Sequence, residues 1–452
     1  MKRVIVALAL VSLLGGCGVL GIGGKGKPKT PTVGNRIAVL ANEASVDVDP
    51  GLADVPVTVP PAATNTDWPQ PGGNPSKSMG HVSIGTTLGR IWAIDAGRGS
   101  TSRIRLASPP VVADGRIYVI DTEASVRAFN TANGKLIWRA QVGTPKGGMS
   151  LWSGEYTGNS GVLFGGGVSF DGGRVYATNG VGDTAAFDAA TGKQIWTVHP
   201  GGPLRGAPTI ANDNVYVVSQ DNQLFALSPE DGKIRWQAAG SIELAGVFGT
   251  AAPAAAQGTV VAGFSSGELT AYRYENGRVL WQDVLARTSI STVVGTLSDI
   301  DANPVIDGGR VYAIGAGGRM VAMELNTGQR LWELNIAGLA TPWVAGDWIF
   351  VATDQGQLFA IARSNGHVRW MSQLRRYAKQ KSKKNPVYWK GPILAGDRLI
   401  VADSIGELVN VSVTDGSVLS IAKTGEKISL APIVAGDTLY ILADDGRLSA
   451  WR

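Results

Sequence analysis

The stretch Pro304-Val-Ile-Asp-Gly-Gly-Arg-Val-Tyr-Ala-Ile-Gly-Ala-Gly-Gly-Arg-Met-Val-Ala-Met-Glu-Leu-Asn-Thr-Gly-Gln-Arg-Leu-Trp332 decides the fold. It holds four short runs, Pro304–Ile306, Arg310–Ile314, Arg319–Leu325 and Gln329–Trp332, rich in β-branched and apolar residues. Glycine-bearing turns at Asp307, Gly315 and Asn326 separate them. Alternating runs of this length bounded by such turns read as strands. Asp-Gly and Thr-Gly pairs supply the positive φ angles that tight hairpins need. The stretch is therefore predicted to be one four-stranded antiparallel unit.

The unit recurs. Segments ending alike close at Trp138, Trp196, Trp236, Trp281, Trp332, Trp370 and, with the tryptophan lost, Ser420. Their openers are Pro110, Val168, Pro208, Pro253, Pro304, Pro342 and Pro392, each 28 residues before its closer. A fixed unit repeated at a total period between 38 and 58 residues is a repeat signature. Four-stranded units at this spacing make propeller blades. An eighth opener, Pro432, starts three strands before the chain stops at Arg452. Thr87-Leu-Gly-Arg-Ile-Trp92 has the look of the missing fourth strand. The predicted fold is all-β: an eight-bladed β-propeller of four-stranded blades, its ring closed by an N-terminal strand, with seven blades as the alternative count. Closure hides sheet edges that an open stack would expose. One tryptophan at an equivalent place in each blade is architecture, packed between neighbouring blades, where burying each ring contributes about 2–3 kcal/mol.

The variable parts point to a working face. From each closer to the next opener the chain runs 30, 12, 17, 23, 10, 22 and 12 residues. All length variation thus falls in the loops joining one blade to the next, which lie on one face of a propeller. Rigid repeats with variable loops on one face commonly bind there. Two loops stand out. Gly201-Gly-Pro-Leu-Arg-Gly-Ala-Pro208 is expected to carry Leu204 and Arg205 at its tip. Thr296-Leu-Ser-Asp-Ile-Asp-Ala-Asn-Pro304 carries Asp299 and Asp301, two apart, which in extended chain project to one side. The aspartates are not a calcium loop, because the glycine and the closing glutamate of that loop are Pro304 and Arg310. Nor does the sequence give them the partner group that acid–base catalysis needs; the plain alternative is a solvated turn. A third feature, Arg375-Arg-Tyr-Ala-Lys-Gln-Lys-Ser-Lys-Lys384, reads either as a solvated loop or as a contact for anionic lipid heads or an acidic partner.

Composition narrows the function classes. The formal charge of +5 falls to about +3 without Lys2 and Arg3, too weak to argue for nucleic acid. Cys17 is the only cysteine, so no intramolecular disulfide and no thiolate metal cluster form. His81, His199 and His367 have no metal-ligand spacing, and neither a metal nor a cofactor is expected. Met1-Lys2-Arg3, the apolar run Val4–Leu14, Gly15-Gly16 and then Cys17 form an export signal too short to span a bilayer. This resembles the lipobox of bacterial lipoproteins, in which cleavage precedes the cysteine and the cysteine carries the acyl chains. Several acyl chains on one residue give stable anchoring. Residues 1–16 are thus assigned to the signal peptide, 17–65 to the lipidated cysteine and a Gly/Pro/Lys-rich tether, and 66–452 to the propeller. Within the tether, Arg36–Val59 is apolar enough to pack as an extended strand on the body, and Pro60-Pro61 breaks it.

The repeats resemble the PQQ-like propeller repeats of quinoprotein dehydrogenases, and Asp67-Trp-Pro-Gln-Pro-Gly-Gly73 resembles the opening segment of such proteins. With the lipobox, Leu204-Arg-Gly-x-Pro208 and Ser298-Asp-x-Asp-x-x-Pro304, the whole chain resembles the BamB family of lipoproteins. These belong to the machinery that inserts β-barrel proteins into the outer membrane. The resemblance implies a non-catalytic scaffold, lipid-anchored in the outer membrane and facing the periplasm. It implies that Leu204, Arg205, Asp299 and Asp301 contact the POTRA domains of BamA. Other subunits of the complex, and unfolded outer-membrane proteins by strand addition, are further candidate partners. One departure is Gly202, where some relatives carry a further leucine. A propeller adaptor of another envelope assembly shares every feature except the two loops. A PQQ-dependent dehydrogenase is disfavoured, because many enzymes with this fold set a vicinal disulfide against the cofactor and a single cysteine cannot form one.

Overall fold

The computed structural model describes residues 46–102, 104–143, 165–241, 249–285 and 298–452. Among these residues lie eight four-stranded antiparallel sheets and one two-stranded hairpin. Blades 1 to 7 span 111–141, 166–198, 209–239, 254–284, 305–334, 343–373 and 389–423. In each, the strands pair in sequence order. Blade 8 takes three strands from the C-terminus, Ile433–Ala435, Thr438–Leu442 and Arg447–Trp451, and its outer strand, Arg90–Asp95, from the N-terminal side. Arg90 pairs with Trp451 and Asp95 with Arg447. The eight-blade count and the closing strand are as expected, and seven blades are excluded.

The tryptophans do more than fill space. Each indole N–H donates to a backbone carbonyl in the turn before the next blade's outer strand. Trp138 reaches Ala189, Trp196 reaches Pro229, Trp236 reaches Tyr274 and Trp281 reaches Leu325, all at 2.7–2.9 Å. Trp332 continues to Arg363, Trp370 to Val413, and Trp92 of blade 8 to Thr131 of blade 1. The glycine of that turn is required twice over. Gly328 has φ +70°, and a Cβ on it would lie 2.5 Å from Cγ of Trp281. The loss of tryptophan at Ser420 now has a cause. Blade 7 faces blade 8, whose outer strand, Arg90–Asp95, arrives from the N-terminal side, so no turn joins it to the third strand, Arg447–Trp451. The turn that supplies the acceptor carbonyl elsewhere is absent at that seam among the described residues.

Sequence reading missed one architectural element. Residues 65–83 make a full lap around the ring, bonding to the innermost strand of every blade or beside it. Asn65 bonds to Val434 and Gly436 of blade 8, and Trp68 to Val112 of blade 1. Pro69 accepts from Phe170 of blade 2, and Gln70 exchanges two side-chain bonds with the backbone of Ile210 in blade 3. Pro75 and Ser76 accept from Ala255 and Ile306 of blades 4 and 5. Gly80 accepts from the Trp343 indole of blade 6, and Val82 bonds to Leu394 and Gly396 of blade 7. All these contacts sit toward the first hairpin of each blade. The lap therefore floors the central channel at the end opposite the inter-blade loops. Upstream, Val48 bridges Val368 and Arg369 Nε donates to the Val55 carbonyl, so this part of the stretch assigned to the tether lies along the outer strand of blade 6.

Candidate functional site

The loop 199–208 joins blade 2 to blade 3. It is fastened on both sides by backbone bonds. Arg205 N–H donates to Val218 O at 2.8 Å, and Gln220 N–H to Pro203 O. Gly166 N–H donates to Arg205 O, and Thr178 Oγ1 to Gly206 O. The expectation that Leu204 and Arg205 form an exposed tip is therefore corrected: both are fully buried. Leu204 pairs with Ser219 and packs among Tyr176, Trp196 and Phe225. An apolar side chain between two blades gains more from that cleft than from water.

Arg205 turns the other way, across blade 4. Its Nη2 donates to Asp299 Oδ1 at 2.7 Å and to Asp301 Oδ1 at 3.0 Å, with Ile300 O at 3.4 Å. The aspartates sit in the loop entering blade 5, held by Ile300 N–H to Phe264 O and Ala316 N–H to Asp299 O. The structure thus brings all four expected residues into one region, and the three charged ones into a single clasp. Arg205 and Asp299 are sealed, while the Asp301 side chain keeps 9% of its exposure. Gly249 lies over the clasp, where a Cβ would come within 1.7 Å of Asp301 Oδ1 and 2.0 Å of Arg205 Nη2. Arg205 Nε and Nη1 and Asp299 Oδ2 have no hydrogen-bond partner among the described residues. Burial, reinforced by Asp299 beside it, pushes the Asp301 carboxyl up to about 7 against the opposing pull of Arg205.

Asp301 opens onto the mouth of the central channel. This mouth, about 560 Å³, is lined by Arg105, Gly249, Leu339, Tyr388, Lys390 and Leu430 among others. Lys390 is held below its ordinary range by burial, although Asp301 and Asp444 pull it upward. The basic insertion rises from the same face as a two-stranded hairpin, Tyr377–Lys379 with Lys384–Pro386. Arg375 Nη1 braces its base on Glu407 at 3.2 Å, while Lys379, Lys381, Lys383 and Lys384 are exposed. Gly249 and Lys390 were missed by the sequence reading. Their only signal was position, shortly before the openers Pro253 and Pro392. Among the described residues no three His, Cys, Asp or Glu side chains group so as to hold a metal ion. Cys17 lies outside the described residues.

Fold and loops together define an eight-bladed propeller of PQQ-like repeats with a buried charged clasp among its inter-blade loops. A family model described as outer membrane protein assembly factor BamB matches residues 63–163 and 142–372. The chain belongs to that family. It is 28% identical over 361 residues to the BamB of Salmonella typhimurium, covering 80% of this chain and 88% of that one. With the BamB of Moranella endobia it shares 24% over 341 residues, 75% and 84% of the two chains. The crystal structure of BamB from Moraxella catarrhalis superposes with a TM-score of 0.66 at 19% identity, over 81% of this chain and all of that one. A europium-containing methanol dehydrogenase shares the fold, with a TM-score of 0.65 at 13% identity, over 85% of this chain and 98% of that one.

Proposed function

We propose that this chain is a non-catalytic scaffold in outer-membrane protein assembly, anchored to the outer membrane through lipid on Cys17 and facing the periplasm. Its inter-blade face docks the periplasmic POTRA domains of BamA. Relatives across most of the chain are named outer membrane protein assembly factors, which supports the assembly role. The observation that carries the docking face is the clasp. Arg205 locks the loops entering blades 3 and 5 into one surface and leaves Asp301 at its edge. In this reading Asp301 meets the partner, while Leu204, Arg205 and Asp299 hold the surface it meets. The exposed lysines of the hairpin extend the face toward other subunits of the complex or toward unfolded barrel proteins.

The test is a titration of the full chain, in detergent, against the periplasmic domains of BamA from the same organism. Asp301→Arg reverses a charge at the edge of the surface and should weaken binding by about 2–5 kcal/mol. Thermal unfolding of the variant separates loss of the contact from loss of the fold. A parent that does not bind, or a folded Asp301→Arg that binds equally well, overturns the docking face.

A further inference from the structure

Below the mouth, the channel narrows to a cavity of about 140 Å³ between the lap and the blade openers. Its wall is largely apolar. Trp68 of the lap stacks on Trp343 of blade 6, ring centres 6.1 Å apart and 17° between planes, and Leu339, Leu430 and Ile393 complete it. Two ammonium groups belong to residues lining the same space. Lys77 comes from the lap and is 3% exposed. Its Nζ donates to Thr209 Oγ1 at 3.1 Å, and no carboxylate lies within ion-pair distance of it among the described residues. Lys390, half-buried, enters from blade 7 and forms no ion pair among the described residues, although Asp301 and Asp444 pull its ionisation upward. Trp68 is 2% exposed, and its indole N–H has no acceptor among the described residues. The one carboxylate in the lining, Asp301, is committed to Arg205.

A buried ammonium without a counter-charge and a buried N–H without an acceptor are both expensive. Each is satisfied by the same kind of group, an anionic oxygen. The apolar wall and the volume set the rest of the ligand. A cavity of this size holds roughly one benzene ring, and pockets that combine an apolar lining with a few placed polar groups are the usual form of small-molecule sites. We propose that the floor of the channel binds a small organic carboxylate, its apolar body between the tryptophan pair and the leucines, its carboxylate on Lys77 and Lys390 with Trp68 Nε1–H as a third donor. The site lies below the docking face and shares Asp301, Leu339, Lys390 and Leu430 with the mouth above it; its test needs no partner protein.

Burial alone holds Lys77 down to about 7, so a bound carboxylate should recharge it and draw in a proton. The test is calorimetric titration of the full chain at pH 8 with benzoate, benzamide and inorganic sulfate, in two buffers of different ionisation enthalpy. Benzoate should bind with proton uptake. Benzamide, the neutral isostere, should bind at least ten-fold more weakly, and so should sulfate, which lacks the apolar body. Lys77→Met should weaken benzoate at least ten-fold and abolish the proton uptake. No heat with benzoate overturns the site. Equal binding of benzamide removes the role of the ammonium groups, and equal binding of sulfate removes the apolar subsite. The ligand comparisons need no variant and so do not depend on how well Lys77→Met folds.

Discussion

Arg205 and Asp299 stand 94 residues apart in the chain and meet at 2.7 Å with neither side chain exposed. The guanidinium comes from the loop entering blade 3 and the carboxylate from the loop entering blade 5, so one ion pair ties these two loops together past the loop entering blade 4, whose Gly249 lies against the clasp. A second carboxylate, Asp301, shares the same Nη2. Two carboxyl groups share one cation, Asp301 is pushed up to about 7 so that it ionises only above neutral pH, and the orphaned atoms of the clasp show that stability is not what it optimises. Its effect is to fix the relative position of two loops.

Removing the cation should therefore be costly. Arg205→Ala leaves two buried carboxylates with no counter-charge, and should lower the stability of the chain by about 3–5 kcal/mol. Asp299→Asn keeps an acceptor for Nη2 and should cost less. Urea unfolding of the parent and both variants checks the order, which should be Arg205→Ala well below Asp299→Asn.

The clasp also predicts a pH dependence. The Asp301 carboxyl sits at about 7 in the folded chain against 3.8 as its ordinary value. Between those values the folded state holds a proton that the unfolded chain has released. Stability must then fall as pH rises from about 4 to about 7, and level off above. Asp301→Asn removes this component. The difference in urea midpoint between parent and variant should move in the variant's favour from pH 4.5 to pH 8.

Lys77 has the opposite sign. Its folded value of about 7 lies below the ordinary 10.5. Across that window the unfolded chain holds a proton that the folded chain has given up, so stability rises with pH. Lys77→Met removes a buried ammonium whose cost is fully present below pH 7. The variant should gain stability over the parent at pH 6 and gain least near pH 10, read again as a shift in urea midpoint.

How much of this was legible depends on whether the cause is local. The blades were readable because hairpin glycines and alternating strands act within ten residues, and the 28-residue spacing from Pro304 to Trp332 repeats that local chemistry. The lap at 65–83 was not, because it has no period of its own and bonds mostly through backbone groups spaced around the ring. The loop motifs were visible, but the burial of Arg205 was not. An arginine beside a leucine reads as a tip until two carboxylates 94 and 96 residues away are placed beside it. The missing tryptophan at Ser420 was visible as an irregularity, and only the seam explains it.

The lap carries a prediction of its own. Gln70 is buried, and its side chain satisfies both the N–H and the carbonyl of Ile210, at 3.1 and 2.9 Å. Gln70→Ala leaves two backbone groups of the innermost strand of blade 3 without partners, each costing about 1–3 kcal/mol. Hydrogen exchange should show faster opening at Ile210 than in the parent, with the amide of Val434 in blade 8 little changed.

The seam supplies the last prediction. Every tryptophan of the ladder has an acceptor in the next blade, and position 420 faces a blade with no such turn among the described residues. Trp281→Phe keeps most of the apolar burial but leaves the Leu325 carbonyl short of a donor. It should cost about 1–2 kcal/mol, the hydrogen bond plus a small loss of packing. Trp281→Ala empties the site and should cost about 3–5 kcal/mol. Ser420→Trp restores the sequence pattern where the structure offers no carbonyl to receive it. Its neighbours Val418, Leu419 and Ile421 are already exposed on that strand. A tryptophan there should add no stability, and would increase the apolar surface at the one edge where blades 7 and 8 meet without the ladder. Equilibrium unfolding of the three variants beside the parent decides it. A gain from Ser420→Trp comparable to the loss from Trp281→Phe would mean that the ladder works by ring packing alone, and that the turn carbonyls are incidental.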